Sequence, residues 1–349
     1  MTIVHPTDCW QRQCLISEIS QDLSHTLYVE RTHMPYDPFL YRTPEGYAIL
    51  QDWYTEALRA FQIPISTDYL PTRFGETHFI RAGEESAPPL VLIHGYGAGS
   101  PLWRQQMEGL AARYRIYAVD CVGQPGRSAA TVPNILDESW SLWLADVLDG
   151  LGLPQAALAG VCLGGWMVLR FAAFAPQRVS HAVLLSPVGI APFRIYWRSG
   201  VPLVLNLRSD PTHAGQRLMR MVFVPPRSNL KFNREVFYAL SLVVKHYNAG
   251  ALAGMSAKPT TRETLHGARA LIKFVRGESG RVLQSVRVPT LLLVGQHEGI
   301  FDSGKAVRRA MKHMPDVRAE ILPNVGHAAI YDAAEQVNER IHRFLATKR

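Results

Sequence analysis

Cysteine is scarce in this chain, with four in 349 residues: Cys9, Cys14, Cys121 and Cys162. They show no metal-ligand spacing and are too few to staple a chain of this length, so neither a metal site nor a disulfide framework is expected. No apolar run approaches the roughly 18 uninterrupted residues of a membrane-spanning helix. The first stretch, Met1 to Ser20, is polar and lacks the apolar core of a secretory signal. A soluble cytoplasmic protein without membrane contacts is the expectation. Acidic residues are thin in one place only. Between Ala191 and Val286 there are 4 Asp and Glu against 15 Lys and Arg, while the rest of the chain has 25 against 22, so the net charge of +8 comes from that middle segment. The excess follows no nucleic-acid-binding motif, which argues against such a partner. It fits either a solvated basic surface or a region that meets an anionic substrate or acidic partner.

Apolar residues are plentiful, at 47%, enough for a full core. Residues 1–44 show no period and read as an N-terminal extension. From Glu45, Tyr47, Leu50, Tyr54, Leu58 and Phe61 recur at helical steps, and Pro64 ends the run. Ile65–Leu70 and Thr77–Ile80 read as strands joined by a turn at Phe74-Gly75. Strand and helix then alternate. Strands are expected at Leu90–Ile93, Ile116–Val119, Ala156–Val161 and Val179–Leu185, and helices at Leu102–Arg113, Ser139–Leu151 and Trp166–Ala175. This is the pattern of an α/β protein with a mostly parallel sheet and helices on both faces. The alternation stops at Pro187. Helices are expected around Tyr196-Trp197 and at Leu218–Val224, Val236–Tyr247 and Thr264–Val275 before it resumes with strand Thr290–Val294, helix Ser303–Met311, strand Arg318–Leu322 and helix Ala334–Leu345. The division expected is therefore an extension (1–44), a core in two parts (45–190 and 287–349) and a helical cap (191–286). Ligands of such sheets bind beyond the carboxyl ends of the strands, which makes the basic segment the roof of the site.

The chemistry centres on Gly160-Val161-Cys162-Leu163-Gly164-Gly165. A strand that breaks sharply into a helix needs small residues two before and two after the apex, and the apex side chain then points out of the turn at a helix N-terminus. A thiol there needs a base, a group to orient the base, and donors for a developing oxyanion. His327, in Asn324-Val325-Gly326-His327 after the last strand, is the candidate base. Glu298, in Gly295-Gln296-His297-Glu298, is the candidate orienting acid. Asp302 lies four residues on and is the alternative, with Glu298 preferred for its position just past a strand. The oxyanion donors expected are the main-chain N–H groups of Leu163 and Tyr96, the latter in the glycine-rich loop His94 to Gly99. His94 reads as structural. Trp103 and Trp166 read as core, and Trp197, Met221, Phe223 and Tyr238 as packing or pocket lining in the cap.

On these residues, together with the loop Asp120 to Ser128 (DCVGQPGRS), the chain from Ile65 to Leu345 resembles the α/β-hydrolase superfamily, in its cap-bearing branch of esterase-like and C–C hydrolase-like enzymes. The resemblance implies the α/β-hydrolase fold and a Cys162–His327–Glu298 triad, with no cofactor and no metal. Cys stands where Ser is usual, as in dienelactone-hydrolase-like enzymes, and Glu where Asp is more usual. A thiolate leaves a tetrahedral intermediate more readily than an alkoxide, so attack on a plain alkyl ester tends to collapse backwards. The expected reaction is hydrolysis of, or acyl transfer from, an activated ester, thioester or enol lactone. The substrate would be a small acyl compound, anionic or linked to coenzyme A or a carrier protein, and the protein a monomer or homodimer. Two other readings stand beside this one. The first is a lyase or cyclase of natural-product type, with the His327–Glu298 pair as base and Cys162 only positioning substrate. The second is a non-catalytic ligand receptor.

Overall fold

The computed structural model describes residues 35–194, 222–223, 234–256 and 258–347. Among these, eight strands form one sheet: β1 (Ser66–Thr72), β2 (Gly75–Ala82), β3 (Pro89–Ile93), β4 (Arg115–Val119), β5 (Ala156–Val161), β6 (Val179–Leu185), β7 (Thr290–Gly295) and β8 (Val317–Leu322). Their spatial order is β1-β2-β4-β3-β5-β6-β7-β8. The β1–β2 hairpin is antiparallel, and β2 also runs antiparallel to β4. Every other pairing is parallel. The sequence dictates this layering. Central strands buried on both faces are continuous apolar runs, as in β5 and β7, where every residue is buried. Edge strand β8 carries Arg318 and Glu320 and is largely open to solvent.

Successive side chains of each strand point to opposite faces, and the core divides accordingly. Val91, Ile93, Leu158, Leu184 and Leu292 join the cluster under α3 (Ser139–Gly150) and α4 (Leu163–Phe174). Leu90, Leu92, Ala159, Val183 and Leu291 join the cluster on the other face, with Leu58 of α1 (Pro44–Arg59), Met107 of α2 (Arg104–Leu110) and Ile341. Helix α1 starts where Thr43 accepts from the Gly46 N–H and Pro44 occupies the first turn, both standard start signals. The helix expected from Leu102 opens instead as a 3₁₀ turn, Ser100–Trp103, which runs into α2.

In the middle segment, α5 (Arg234–His246) and α6 (Thr261–Arg276) are helical, the latter opened by a Thr260/Glu263 capping box. The helix expected around Tyr196-Trp197 lies outside the described residues, as does that over Leu218–Val224 apart from Val222 and Phe223, which are helical. Three short or late helices follow: α7 (Gly280–Ser285), α8 (Ser303–His313) and α9 (Ala329–Asp332); α10 (Ala334–Leu345) closes the chain. The short α7 and α9 carry too few turns to show a period. The described end of the N-terminal stretch packs on the middle segment. Leu40 and Tyr41 are buried with Tyr247 and Ala251, the Arg42 N–H donates to His246 O at 2.9 Å, and the Asn248 N–H to Leu40 O at 2.8 Å. No helix among the described residues is long and apolar enough to cross a membrane.

Candidate active site

The turn from β5 into α4 holds Cys162 at φ 54°, ψ −113°. A positive φ at a side-chain-bearing residue costs on the order of 1–3 kcal/mol, and the flanking glycines make it possible. A Cβ on Gly160 would fall 2.3 Å from Gly164 O, one on Gly164 would fall 2.1 Å from Ile93 O, and one on Gly165 would fall 2.9 Å from the Pro187 Cβ. Backbone cannot yield to the first two contacts, so Gly160 and Gly164 admit only glycine, while at Gly165 the obstacle is the Pro187 ring. The apex is stitched to the next strand: the Cys162 N–H donates to Leu185 O at 2.9 Å, and Cys162 O accepts from Val188 N at 3.1 Å.

Glu298 and His327 arrive from the loops after β7 and β8. These loops press together at Gly295, where a Cβ would lie 2.3 Å from Gly326 O, and the His297 N–H donates to Val325 O at 2.8 Å. The His327 Nδ1 lies 2.9 Å from each carboxylate oxygen of Glu298. Glu298 Oε1 also accepts from the Ile300 N–H at 2.9 Å. Both residues are buried, at 4% and 3% exposure. On its other side His327 hydrogen-bonds the Cys162 side chain. Burial acts on His327 to lower its pKa, but the charges of Glu298 and Cys162 and the hydrogen bonds to both outweigh it and hold the pKa well above the ordinary 6.5. The structure thus brings Cys162, His327 and Glu298 together. Asp302 stands apart. It caps α8 by accepting from the Lys305 N–H at 2.8 Å and pairs with Arg194 at 2.6 Å, with its side chain 36% exposed.

The loop from His94 to Gly99 lies against the apex, since a Cβ on Gly95 would be 3.2 Å from the Cys162 Cβ. Its anchor is His94, whose Nε2 accepts from the Cys121 N–H at 2.9 Å. The ring proton is therefore on Nδ1, which donates to Gly95 O at 2.8 Å. Burial lowers the His94 pKa, and the neutral ring ties the loop to the end of β4. Tyr96 borders the cleft, with its hydroxyl donating to Ala249 O at 2.6 Å. Leu163 opens α4, so its N–H has no acceptor one turn back in the helix.

A cleft passes over Cys162 and His327. Leu102, Trp103 and Val161 line one side, Ile330 and Tyr331 another, and Phe223, Val236 and Leu240 close it from the cap. The Phe223 ring meets the His327 ring edge-on at 5.4 Å. None of the described lining residues is Lys or Arg. Described basic side chains of the middle segment are engaged elsewhere: Arg194 with Asp302, and Lys273 with Ile135 O. Of the cap residues singled out in the sequence, Phe223 lines the cleft and Tyr238 is largely exposed. Trp197 and Met221 lie outside the described residues. Trp103, read as core, is both buried and a lining residue, whereas Trp166 is buried with its indole N–H donating to Glu278. Val236 and Leu240, one helical turn apart, were detectable as a stripe. Ile330 and Tyr331 had no signal beyond their nearness to His327.

Comparison with known proteins gives a consistent result. A family model described as the alpha/beta hydrolase fold matches residues 88–334. The carboxylesterase nap of Bacillus subtilis (strain 168) is 31% identical over 301 residues, covering 83% of this chain and 90% of that protein. Carboxylesterase YbfK of the same organism is 30% identical over 292 residues, covering 84% and 92%. The crystal structure of carboxylesterase CesB (YbfK) superposes with a TM-score of 0.73 at 28% identity, over 87% of this chain and all of the other. That of naproxen esterase (carboxylesterase NP), also from Bacillus subtilis, gives 0.68 at 26% identity.

Proposed function

Since this chain belongs to the α/β-hydrolase family, we propose that it is an esterase-like enzyme working through a covalent acyl-Cys162 intermediate. The observation that carries the reading is the sulfur held at a strained apex and hydrogen-bonded by His327, which in turn grips Glu298 through both carboxylate oxygens. Its carboxylesterase relatives support hydrolysis of an ester-type bond.

In the proposed reaction the Cys162 Sγ, whose proton is already held by His327, forms a bond to the substrate carbonyl carbon. The carbonyl π electrons move to oxygen, where the N–H groups of Leu163 and Tyr96 receive them. Collapse expels the leaving group, which takes the proton from His327. Water then attacks the thioester, giving up a proton to His327, and the second collapse releases the acid and the sulfur with that proton left on the imidazole. Glu298 fixes the ring orientation and stabilises the imidazolium. A sulfur nucleophile favours leaving groups better than an alkoxide: phenolates, enolates and thiolates. The apolar lining suits an uncharged, hydrocarbon-rich acyl group. The anionic handle of a coenzyme A or carrier thioester would stay outside the cleft, with the basic side chains of the middle segment.

The test is intact-protein mass spectrometry after brief mixing with aryl esters and thioesters. An acyl adduct is expected on the native chain and none on Cys162→Ala. An adduct that persists in the variant overturns covalent catalysis at sulfur. Turnover largely retained in Cys162→Ala would instead assign the chemistry to His327 and Glu298 as a base pair, as in a lyase.

A further inference from the structure

The loop Asp120 to Ser128 has no part in the proposed reaction, yet one of its side chains reaches the loop that has. Strand β4 lies beside β3 and parallel to it, so the segments that follow the two strands leave the same edge of the sheet together. The Gln124 side chain crosses between them: its Oε1 accepts from the Gly97 N–H at 3.1 Å. The donor is a main-chain N–H, so the amide oxygen and not the nitrogen faces Gly97. The Gln124 Nε2 is sealed from solvent and makes no hydrogen bond among the described residues, and the residue is 1% exposed. As a stabilising contact this is poor. One neutral hydrogen bond is gained and one amide group is stranded, and the two effects are similar in size. A buried polar group left that way calls for an explanation beyond stability.

We propose that Gln124 is a positioning residue for the reaction at Cys162: by holding the Gly97 N–H it keeps the Tyr96 N–H aimed for the oxyanion. This rests on the reading of the Tyr96 N–H as an oxyanion donor. That N–H makes no hydrogen bond among the described residues, so its direction is set by the two peptides it lies between. The peptide before it is tied at Gly95 O, which accepts from the His94 ring at 2.8 Å and from the Ala98 N–H at 3.3 Å. In a trans peptide the N–H points opposite to the C=O, so tying Gly95 O orients the Tyr96 N–H. The peptide after it is tied at the Gly97 N–H by Gln124. Gly97 has φ 66°, and glycine crosses between positive and negative φ at little cost. Without the Gln124 bond the Tyr96–Gly97 peptide is free to turn over. Gln124 is itself braced. Its N–H donates to Cys121 O at 3.3 Å, and the Tyr247 hydroxyl donates to the neighbouring Gly123 O at 2.7 Å. A donor fixed beforehand needs no rearrangement when charge develops, whereas a loose one must first be brought into line.

The test compares Gln124→Met, which keeps the length and loses the acceptor, with Gln124→Glu, which keeps an acceptor oxygen at the same place. With aryl esters, and rates taken per folded molecule, kcat should fall about 10- to 100-fold in Gln124→Met while KM stays within about twofold. Gln124→Glu should recover most of that loss. Gln51→Met is the control. It cuts the bond from Gln51 Nε2 to Gly126 O in the same loop, 3.0 Å long, and should leave kcat within about twofold of native. A second measurement reads the oxyanion directly. An alkyl trifluoromethyl ketone takes the Cys162 Sγ at its carbonyl carbon, the π electrons pass to oxygen and the thiol proton stays on His327. The affinity of that adduct, followed by fluorine NMR, should weaken in Gln124→Met by about the factor lost from kcat. The matching trifluoromethyl alcohol, which forms no adduct, should bind as it does to the native protein. An adduct equally tight in Gln124→Met, a rise in KM in place of the loss in kcat, no recovery in Gln124→Glu, or an equal loss in Gln51→Met would each overturn the role of Gln124. Absence of any adduct on the native protein would instead overturn covalent chemistry at Cys162, and this proposal with it, so the two failures are told apart.

Discussion

Two histidine–carboxylate pairs lie buried in this molecule, His327–Glu298 and His78–Asp120, and they have nearly the same geometry. The first pair meets at 2.9 Å and the second at 3.0 Å. They differ in what surrounds the carboxylate and what lies beyond the imidazole. Asp120 is saturated. It accepts from the Ser100 N–H and hydroxyl at 2.7 and 2.6 Å, the Tyr54 hydroxyl at 2.8 Å and the Arg127 N–H at 3.0 Å, besides His78. Burial would raise its pKa, but the hydrogen bond and charge of His78, with the Ser100 hydrogen bond, hold it well below the carboxylate range. The far nitrogen of His78 is sealed and without a partner among the described residues. Asp120 therefore clamps α1, the 3₁₀ turn, β2 and the loop after β4. Glu298 turns both oxygens to His327 and accepts besides only from the Ile300 N–H among the described residues, and the far side of His327 meets the sulfur and the cleft. Pair geometry alone does not mark a catalytic site; the proposed role of the first pair rests on the thiol and the cleft on the other side of the ring.

Exchanging the two histidines gives the sharpest test. His327→Ala should lower kcat/KM by about 10⁴-fold or more, and also lower the melting temperature because Glu298 is left buried without its imidazole. His78→Ala should lower the melting temperature alone, leaving the rate per folded molecule close to native. Initial rates and thermal melts on both variants decide it, and equal rate losses would erase the distinction. Glu298→Gln comes next, with an expected loss of about 10³- to 10⁴-fold and a change of sign in pH behaviour. In the native protein the His327 pKa is raised. Its imidazolium therefore adds stability that is complete below the unfolded value of about 6.5 and is lost as pH rises through the folded value. Without the carboxylate, burial lowers the pKa, so stability should fall as pH drops from the unfolded value of about 6.5. Melts across pH 5 to 9 would show it.

Asp120→Ala should act on stability instead, at about 3–5 kcal/mol, because it leaves His78 and the Arg127 N–H buried without their partner. Its folded pKa is depressed, so the native carboxylate contributes stability above the unfolded carboxylate range that is lost as pH falls through the folded value. Denaturant titrations at neutral and acid pH should show the variant losing less on acidification than the native chain.

How much of this was legible in the sequence depends on whether backbone or side chains set the feature. The turn at Cys162 was readable because Gly160 and Gly164 sit where a Cβ would meet carbonyl oxygens at 2.3 and 2.1 Å, and no other residue type meets that demand. The sheet was readable because β5 and β7 are buried on both faces and therefore unbroken apolar runs. The cleft was not. Its lining joins Leu102, Val161, Leu240 and Ile330 from separate segments, and each has the look of an ordinary core residue. The charge balance of the middle segment gave a count without a direction: none of its described basic groups is among the lining residues of the apolar cleft.

The smallest expected effect concerns the residue the sequence left in competition with Glu298. Both carboxylates follow β7 on one loop, and spacing cannot say which reaches the imidazole. In the structure Asp302 accepts from the Lys305 N–H at the start of α8 and meets Arg194 at a partly exposed position. The Lys305 N–H, followed by burial and Arg194, governs its pKa, which is lowered overall. Asp302→Ala removes a helix cap and an exposed ion pair, worth about 1 kcal/mol together, and should leave kcat/KM within about twofold of native. Steady-state rates beside a denaturant titration check both numbers. A rate loss as deep as that of Glu298→Gln would mean that the loop rearranges to deliver Asp302 to His327, and the contrast between the two buried pairs would then lose the acid on which it is drawn.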